Sequence, residues 1–352
     1  MSHQDVQNHC AVLPHLKAHP MIKTTSSIPV PIGSEVLIRV HAVAVNPADW
    51  AVQTLGVVIK PEAYPYVNGV DVAGEILSVG PSQKRFKPGD RVTATAMAYT
   101  KSENKYGGFQ EYLIGVEPLM AQIPDHISYA EGAVLPLGLT TAAAMLYSPE
   151  LMGLDVPKIG TPVNSKNKIV VVWGGSSSVG SNAIQTAKAA GYIVAATASE
   201  KQHNFMRDIG VDYVYDYTKE GVVDEIVAAL KGKEEVAGVF DAIYVEPTIR
   251  SCAEIAHRLE GNKIVGTVLA PGMPVPGGLP VDVRTIVNEV VRLNQTETGK
   301  AIWVDWLGGA LADGSMKCKP EPDIVGRGLK KIQDAVDAIP KGVSGRKLVV
   351  EL

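Results

Sequence analysis

The feature that most constrains this sequence is an apolar segment that runs into a turn rich in glycine and serine. Residues 170–192 read VVVWGGSSSVGSNAIQTAKAAGY. The apolar run ends at Trp173, two glycines and three serines follow, and a helix-like stretch then places small residues on one face. A buried parallel strand that turns directly into a helix gives this pattern, so the segment favours an α/β fold with a doubly wound sheet.

Length, charge and cysteine content limit the class of protein. A chain of 352 residues is long enough for two domains, and its net charge of −4 argues against nucleic acid or an anionic membrane as the main partner. Its three cysteines, Cys10, Cys252 and Cys318, lie far apart, and no Cys/His cluster has metal-ligand spacing. We therefore expect neither a disulfide framework nor a metal site. The polar first residues and the lack of a membrane-length apolar run predict a cytoplasmic protein outside the membrane.

The first part of the chain is expected to be rich in β-strands. Short apolar and β-branched segments alternate with Gly/Pro turns, which predicts a barrel or a sandwich. A helix with a break near Pro136 is then expected over residues 127–147. The expected strands are 35–45, 72–80, 87–95 and 107–115.

From residue 168 the pattern alternates between strands and helices. This alternation is typical of a parallel, doubly wound sheet. An amphipathic helix at 328–339 and a strand at 347–352 follow it. The strands expected in the alternating region are 168–173, 192–197, 213–215, 239–244 and 263–268.

The glycine-rich turn matches the place of a dinucleotide-binding loop. In such loops backbone N–H groups at a helix N-terminus bind the pyrophosphate, and the usual fingerprint is G-x-G-x-x-G. Here the run from Gly175 to Gly180 has serine at the middle glycine position. The alternative is a Gly/Ser turn whose serines only cap the helix, but the flanking strand and helix favour a dinucleotide site. The candidate residues are Gly174, Gly175, Ser176, Ser177, Val179 and Gly180.

The end of the second alternating strand indicates which dinucleotide binds. NAD sites usually place Asp or Glu there, on the ribose 2′-hydroxyl. This strand ends at Ser199, Glu200 comes slightly late, and Lys201 offers a cation to a 2′-phosphate. We therefore predict NADPH, with Ser199, Lys201 and, after the third strand, Tyr217 as ligands. The segment 199–202 is also a capping box for the next helix, and both roles can hold at once.

Seven motifs spread over nearly the whole chain form a wider pattern. They are HAVAVNPADW (41–50), YVNGVDVAGEILSVG (66–80), KPGDRV (87–92), GGFQEY (107–112), AVLPLGLTTAA (133–143), VWGGSSSVG (172–180) and GVSGRKLVV (342–350). Together they resemble the zinc-free branch of the medium-chain dehydrogenase/reductase superfamily. This branch includes quinone oxidoreductases and the fungal trans-acting enoyl reductases that partner polyketide synthases. The resemblance implies a GroES-like β-barrel domain, 1–123 with 292–352, and an inserted Rossmann NADPH-binding domain, 124–291.

The same resemblance implies where the cofactor and the substrate lie. Zinc-containing relatives carry a Cys and a His-Glu pair where this chain has 46–49 and 69–71, so the implied chemistry uses no zinc. The loop from Asn46 to Trp50 is placed against the nicotinamide, with Asn46 bonding the ribose or substrate and Asp49 orienting it. Asp49 is alternatively a helix N-cap. The other implied cofactor contacts are Trp50, Thr140, Thr141, Leu269, Ala270, Val349 and Val350.

A metal-free reductase needs a substrate that accepts hydride readily. An activated alkene meets this need, so we expect an enoyl thioester or an enone, either as a small molecule or bound to a carrier. A polyketide synthase is the possible partner for a carrier-bound substrate. Tyr64 and Tyr66, which flank Pro65, are the candidate proton donors, with Tyr64 preferred. Turn tyrosines packed on the proline, with solvent as the donor, give the same pattern. The alternatives are an NADPH:quinone oxidoreductase and an NADPH-binding protein with little turnover. Relatives suggest a monomer or a homodimer.

Overall fold

The chain divides into two compact units. Unit 1 comprises Met1–Leu137 and Glu321–Leu352, and unit 2 comprises Gly138–Pro320. Unit 1 is thus formed by the segments that precede and follow unit 2 in the sequence, as expected when one domain is inserted into another. The computed structural model describes residues 7–101, 103–160, 165–268, 273–288, 293 and 295–352.

The strands of unit 1 form two sheets. The larger sheet has seven strands in the order β15-β16-β3-β5-β6-β8, with β7 also paired to β3, and the smaller has the order β2-β1-β4. Most neighbours are antiparallel, as in a GroES-like barrel, while β15 and β16 run parallel. The strands are β1 (Gln7–Leu13), β2 (Ile22–Ser27), β3 (Val36–Ala44), β4 (Tyr66–Val67), β5 (Asp71–Val79), β6 (Arg91–Thr95), β7 (Tyr112–Gly115), β8 (Met120–Gln122), β15 (Glu321–Arg327) and β16 (Arg346–Glu351).

The helices of unit 1 cover the barrel strands. An apolar face of α10, including Ile332 and Val336, joins the barrel core that Ile38, Ile76 and Leu113 form. Burial of this face explains why the amphipathic pattern after residue 328 folds as a helix. The helices are α1 (Pro47–Leu55), α2 (Tyr129–Ala133) and α10 (Lys330–Ala338), and the unit boundary falls within α3 (Pro136–Tyr147).

Unit 2 contains a parallel sheet of six strands with helices between them. The strand order is β11-β10-β9-β12-β13-β14, and every neighbouring pair is parallel. The order reverses at β9, which is the switch point of a doubly wound sheet and confirms the predicted Rossmann fold. The strands are β9 (Lys168–Trp173), β10 (Ile193–Thr197), β11 (Tyr213–Tyr215), β12 (Glu235–Asp241), β13 (Ile264–Thr267) and β14 (Arg284–Val287).

The helices of unit 2 alternate with its strands along the chain. Residues Ala301–Trp306 are π-helical and join two of these helices without a break. One apolar core of unit 2 contains Val171 and Val239 from the sheet. It also contains Ile226, Cys252 and Ile255 from helices. The helices are α4 (Ser178–Ala189), α5 (His203–Asp208), α6 (Val222–Leu230), α7 (Glu246–Arg258), α8 (Glu297–Lys300) and α9 (Leu307–Asp313).

Several predicted boundaries differ from the structure. Strand β12 begins at Glu235 instead of residue 239, because a bulge between Val236 and Gly238 lets the strand continue through a glycine. Strand β2 reads IKTTSS and is exposed throughout, so no apolar alternation marks it. The unit boundaries also lie later than the predicted domain limits of 1–123, 124–291 and 292–352, and those limits stay a prediction.

One helical stretch corrects the expectation that no segment has membrane-spanning length. Among the described residues, Tyr129–Tyr147 is long and apolar enough to meet that criterion. Its most apolar window is 83% buried inside the structure, which is the behaviour of a core helix. Two helices, α2 and α3, form the stretch, and the break near Pro136 separates them as predicted.

Candidate functional sites

The predicted dinucleotide residues of unit 2 lie at one edge of its sheet. Strands β9, β10 and β11 are neighbours and parallel, so their carboxyl ends meet at the same edge. The Gly/Ser turn follows β9, Ser199 and Lys201 follow β10, and Tyr217 follows β11. Ligands of doubly wound sheets bind at this edge, next to the strand where the order reverses.

The turn after β9 is held by hydrogen bonds to β10. The Gly174 N–H donates to Thr197 Oγ1 at 3.0 Å, and the Gly175 N–H donates to the Thr197 carbonyl at 2.8 Å. Gly174 has a φ of 80°, a conformation that favours glycine. Ser177 is the N-cap of α4, and its hydroxyl oxygen accepts the Gly180 N–H at 3.0 Å. The capping role of a serine and an anion site at this helix N-terminus are compatible, because the cap uses one of several N–H groups.

Gly180 lies where the start of helix α4 closely approaches the turn after strand β9. A Cβ added there would lie 2.3 Å from the Gly174 carbonyl oxygen and 2.9 Å from Gly175 Cα. Both are backbone atoms, so they move only if the turn itself moves. This is the close approach that the last glycine of the fingerprint permits, and it fits a dinucleotide in the turn.

We expect Gly180→Ala to lower the free energy of unfolding by about 1–3 kcal/mol, because the new methyl group overpacks the turn. The distorted turn should also weaken dinucleotide binding. Denaturant unfolding and a fluorescence titration with NADPH measure the two effects. Gly308→Ala is the matched control, since Gly308 lies in α9 with no atom within 4 Å of an added Cβ. It should be neutral or stabilising, and equal losses in both variants would contradict the close-approach argument.

The segment after β10 leaves its polar side chains available. Ser199 precedes a 3₁₀ turn, Glu200–Gln202, but its side chain makes no capping hydrogen bond, so the predicted capping box does not form. Lys201 is exposed, and no salt bridge engages it among the residues described. Tyr217 is 47% exposed. These three side chains can therefore meet a ligand at this edge without losing an internal partner.

The remaining predicted cofactor residues fall in both units. Thr140 and Thr141 lie in α3 and are buried, and the Thr141 carbonyl accepts the Asn288 amide at 2.8 Å. Val349 and Val350 lie in β16, fully buried and paired with β3. Leu269 and Ala270 lie outside the described residues. The structure thus gives the place of each described candidate, and its contact with a cofactor stays a prediction.

The predicted catalytic loop starts helix α1 in unit 1. Asn46 is the N-cap of this helix, and Asp49 is the third residue within it, so the alternative that Asp49 is the N-cap is wrong. The Asn46 N–H donates to Asp49 Oδ2 at 2.8 Å. Both side chains are buried, at 3% and 0% exposure. The Asn68 side chain donates to the Asp49 carbonyl at 3.2 Å and fixes the same turn from the side of β5.

An ion pair that the sequence analysis did not predict lies beside this loop. Lys347 Nζ contacts Asp71 Oδ2 at 2.8 Å and also donates to Asn46 Oδ1. Asn46 Nδ2 donates to Asp71 Oδ2 at 3.0 Å, and Asp71 Oδ1 accepts the Leu137 N–H at 2.6 Å. Asp71 is 0% exposed and Lys347 is 4% exposed. Asn46 is thereby held between a cation and a carboxylate, both from barrel strands.

Asp49 has a further partner in Tyr99. The Tyr99 hydroxyl donates to Asp49 Oδ1 at 2.8 Å. Burial raises the pKa of Asp49 to about 6, against the lowering effects of the hydrogen bonds from Tyr99 and Asn46. Burial and the neighbouring Asp49 also raise the pKa of Tyr99 well above its usual value. A carboxyl that titrates near neutral pH is suited to proton transfer.

Tyr64, the predicted proton donor, lies near this group. Its hydroxyl is buried without a hydrogen-bond partner among the described residues, and burial raises its pKa. Its ring packs edge-on against Tyr66, 6.1 Å between centroids. Both tyrosines belong to the apolar cluster that contains Val52 of α1. Trp50, on the same helix, is partly buried against the barrel core.

The residues at this position do not fit a catalytic zinc ion. Tetrahedral zinc requires thiolate, imidazole or carboxylate ligands, and Asn46 and Val70 offer neither a thiolate nor an imidazole. The Asp71 carboxylate is already paired with Lys347. In the part of the chain that the structure describes, no three His, Cys, Asp or Glu side chains are grouped as a metal site.

Sequence reasoning missed Asp71, Tyr99 and Lys347 as members of the site. Lys347 carries a recognisable signal, since it lies two residues before Val349 in an apolar strand and so faces the same side as a buried valine. Asp71 similarly begins the apolar strand β5. Tyr99 follows β6 in a turn and carries no such signal.

Comparison with known proteins agrees with this architecture. The family model for the alcohol dehydrogenase GroES-like domain matches residues 33–125, and the zinc-binding dehydrogenase model matches residues 178–306. The dehydrogenase azaJ of Aspergillus niger is 36% identical over 353 residues, which cover 98% of this chain and 99% of azaJ. The chain belongs to the medium-chain dehydrogenase/reductase superfamily.

Two further matches show how far the similarity extends. The trans-enoyl reductase himH of Aspergillus japonicus is 38% identical over 321 residues, 90% of each chain. The crystal structure of an alcohol dehydrogenase superfamily protein from Novosphingobium aromaticivorans superposes with a TM-score of 0.77 at 20% identity, over 98% of this chain and 99% of that one. As a member of this superfamily, the chain is an oxidoreductase, and the cofactor of the family is a nicotinamide dinucleotide.

Proposed function

We propose that this protein is an NADPH-dependent, metal-free reductase of an activated C=C bond in an enoyl thioester or an enone. The observation that carries the proposal is the buried cluster around Asp49. It offers a carboxyl, hydroxyls and an amide, and the described residues group no three His, Cys, Asp or Glu side chains that could hold a Lewis-acid metal. A substrate reduced there must carry its own electron sink, which a conjugated carbonyl provides.

Each unit contributes residues with a proposed role in binding the cofactor or the substrate. In unit 2 the turn from Gly174 to Gly180 would hold the pyrophosphate, and Lys201, Ser199 and Tyr217 would hold the adenosine 2′-phosphate. In unit 2, Thr140, Thr141, Leu269 and Ala270 are the proposed contacts of the nicotinamide end. In unit 1, Trp50, Val349 and Val350 are proposed cofactor contacts. When bound, the dinucleotide supplies a hydride. Asn46 would hydrogen-bond the ribose or substrate, Asp49 would orient it, and Tyr64 is the candidate proton donor.

The similarity to himH, which is named a trans-enoyl reductase, supports a carrier-bound acyl substrate. On this proposal the acyl chain is presented by a separate polyketide synthase, and the reductase acts on it as a monomer or a homodimer. A cytoplasmic location is part of the same proposal.

Lys201→Ala should weaken NADPH binding about 10- to 150-fold while leaving NADH binding nearly unchanged. The variant loses one charge-assisted hydrogen bond to the 2′-phosphate, which contributes about 1.5–3 kcal/mol. Fluorescence titration with each dinucleotide measures both dissociation constants. Lys231→Ala is the control, since Lys231 is exposed but follows α6, away from the carboxyl ends of the strands. Equal losses for NADPH and NADH would show that Lys201 does not contact the 2′-phosphate.

NADPH consumption on a panel of acceptors tests the proposed reaction. The panel contains an enoyl thioester, a free enone, a quinone and an aldehyde, each assayed with purified protein. We expect turnover on the thioester, or on the thioester and the enone. Turnover on the quinone alone would replace the proposal with a quinone oxidoreductase. NADPH binding without turnover on any acceptor would support a dinucleotide-binding protein with little activity.

A further inference from the structure

The two carboxylate oxygens of Asp49 have different partners. Oδ2 accepts the Asn46 backbone N–H at 2.8 Å and lies 3.4 Å from Asn46 Nδ2, which is also a donor. Oδ1 faces the Tyr99 hydroxyl at 2.8 Å. Both Asn46 groups next to Oδ2 are N–H donors, which cannot accept a hydrogen bond. A proton on Oδ2 would therefore have no acceptor there and would face the hydrogens of these donors. A proton on Asp49 is therefore placed on Oδ1, where the Tyr99 oxygen can accept it.

The charges around Asp49 favour its protonation. Strand β5 contributes Asp71, β16 contributes Lys347, β4 contributes Tyr66, and the turn after β6 contributes Tyr99. Lys347 contacts Asp71 and Asn46, so the one cation of this group is paired with the other carboxylate. With Asp49 ionised the buried group carries a net negative charge, and one proton neutralises it. The pKa of about 6 for Asp49 agrees with this count.

The direction of the Asp49–Tyr99 hydrogen bond depends on that proton. When Asp49 is ionised, the Tyr99 hydroxyl donates to it and its hydrogen is occupied. When Asp49 is protonated on Oδ1, it donates to Tyr99, and the Tyr99 hydrogen is free to point elsewhere. Asp49 itself is fully buried, whereas Tyr99 is partly exposed. Of the two side chains, that of Tyr99 is therefore the one that has exposed surface.

We propose that Tyr99 and Asp49 form a proton relay, in which Tyr99 gives a proton to the reduced substrate and Asp49 Oδ1 replaces it. This inference rests on the proposed reduction of a conjugated C=C bond. Asp71 and Lys347 are positioning residues, because they act through Asn46 and through their charge.

The step balances in protons and electrons. Hydride addition to the β-carbon breaks the C=C π bond and moves its electron pair to the enolate. The Tyr99 O–H bond breaks as a new C–H bond forms at the α-carbon. The proton on Asp49 Oδ1 moves to the Tyr99 oxygen and leaves Asp49 as a carboxylate. A proton from solvent then returns to Asp49 Oδ1 through the Tyr99 hydroxyl. The net reaction consumes one hydride and one proton for each C=C bond.

The first experiment measures the pKa of Asp49, and its dependence on Tyr99, without any turnover. Carboxyl ¹³C NMR of aspartate-labelled protein, titrated over pH 4–8, should show one resonance with a midpoint near pH 6 that is absent in Asp49→Asn. In Tyr99→Phe that midpoint should move to higher pH, because the variant loses a hydrogen bond that lowers the Asp49 pKa. A midpoint below pH 5, or one that Tyr99→Phe leaves unchanged, would overturn the relay.

The second experiment tests the donor role on the best acceptor of the panel. Tyr99→Phe should lower kcat about 10²- to 10⁴-fold with little change in KM or in the NADPH dissociation constant. Activity of the unmodified protein should decline above about pH 6, and this decline should disappear in Tyr99→Phe. Tyr106→Phe is the matched control, since its hydroxyl donates to the Glu35 carboxylate at 2.6 Å elsewhere in unit 1. Its kcat and pH profile should stay unchanged.

The two experiments separate failure of the relay from failure of the proposed function. A titration near pH 6 with a Tyr99→Phe variant that retains kcat within twofold would overturn Tyr99 as the donor. If no acceptor on the panel is reduced, the proposed function and the donor role both fail. The NMR titration then still decides whether Asp49 shares a proton with Tyr99.

Discussion

Asp71→Asn should lower the free energy of unfolding by about 3–5 kcal/mol. The change keeps the volume and the acceptor for the Leu137 N–H, but it leaves Lys347 buried without its counter-ion. Removing one partner of a buried ion pair has a cost of this size, because the remaining charge is not solvated. Asn46 Nδ2 donates to Asp71 Oδ2 in the unmodified protein. In the variant an amide N–H group would take the place of that acceptor, so two donors would face each other.

Urea unfolding at pH 7 measures this loss, and a double variant isolates its cause. Asp71→Asn with Lys347→Met removes both charges and should be much more stable than the sum of the single losses indicates. Glu246→Gln is the control, since it breaks an exposed ion pair with Arg250 and should cost at most about 1 kcal/mol. If Asp71→Asn costs no more than Glu246→Gln, the buried pair does not stabilise unit 1.

The contribution of Asp49 to stability should fall by about 3 kcal/mol as the pH rises from about 4 to 6. Its pKa is about 6 in the folded protein and about 3.8 when exposed in the unfolded chain. Between these values the folded state holds more protons, so raising the pH favours unfolding. The 2-unit difference, at 1.36 kcal/mol for each pKa unit, sets the size of the effect.

The measurement compares the protein with Asp49→Asn at several pH values. The difference between their free energies of unfolding should change steadily between pH 4 and 6 and level off above it. Asp323→Asn, at an exposed position of β15, controls for the loss of an aspartate at the surface. A difference for Asp49→Asn that stays constant with pH would mean that folding does not raise the Asp49 pKa.

The α/β half of the fold could be predicted because its sequence pattern is local. Strand β9 occupies the predicted residues 168–173, and β11 the predicted 213–215. A buried parallel strand needs apolar residues on both faces, and the turn after β9 needs glycine at Gly174, so both leave clear marks in the sequence. The capping box at Ser199 did not form, since a short 3₁₀ turn begins there instead of a full α-helix.

The polar cluster of unit 1 could not be predicted in the same way. Asn46 and Asp49 were found as neighbours in one loop, but their partners come from three other segments. Asn46 and Lys347 are 301 positions apart, and only the pairing of β16 with β3 brings them together. Register across strands decides which side chains meet, and no local pattern records it.

The pairing of β16 with β3 also determines when unit 1 can be completed during synthesis. Residues 138–320 leave the ribosome between the two parts of unit 1, which takes roughly 10–40 s at ordinary elongation rates. Throughout that interval Asp71 has no Lys347 to pair with, and the edge of β3 that β16 will cover is open. All strands of unit 2 are therefore synthesised before β15 and β16, the last two strands of unit 1. Nascent chains stalled before β16 should therefore protect unit 2 from protease while unit 1 is still cleaved.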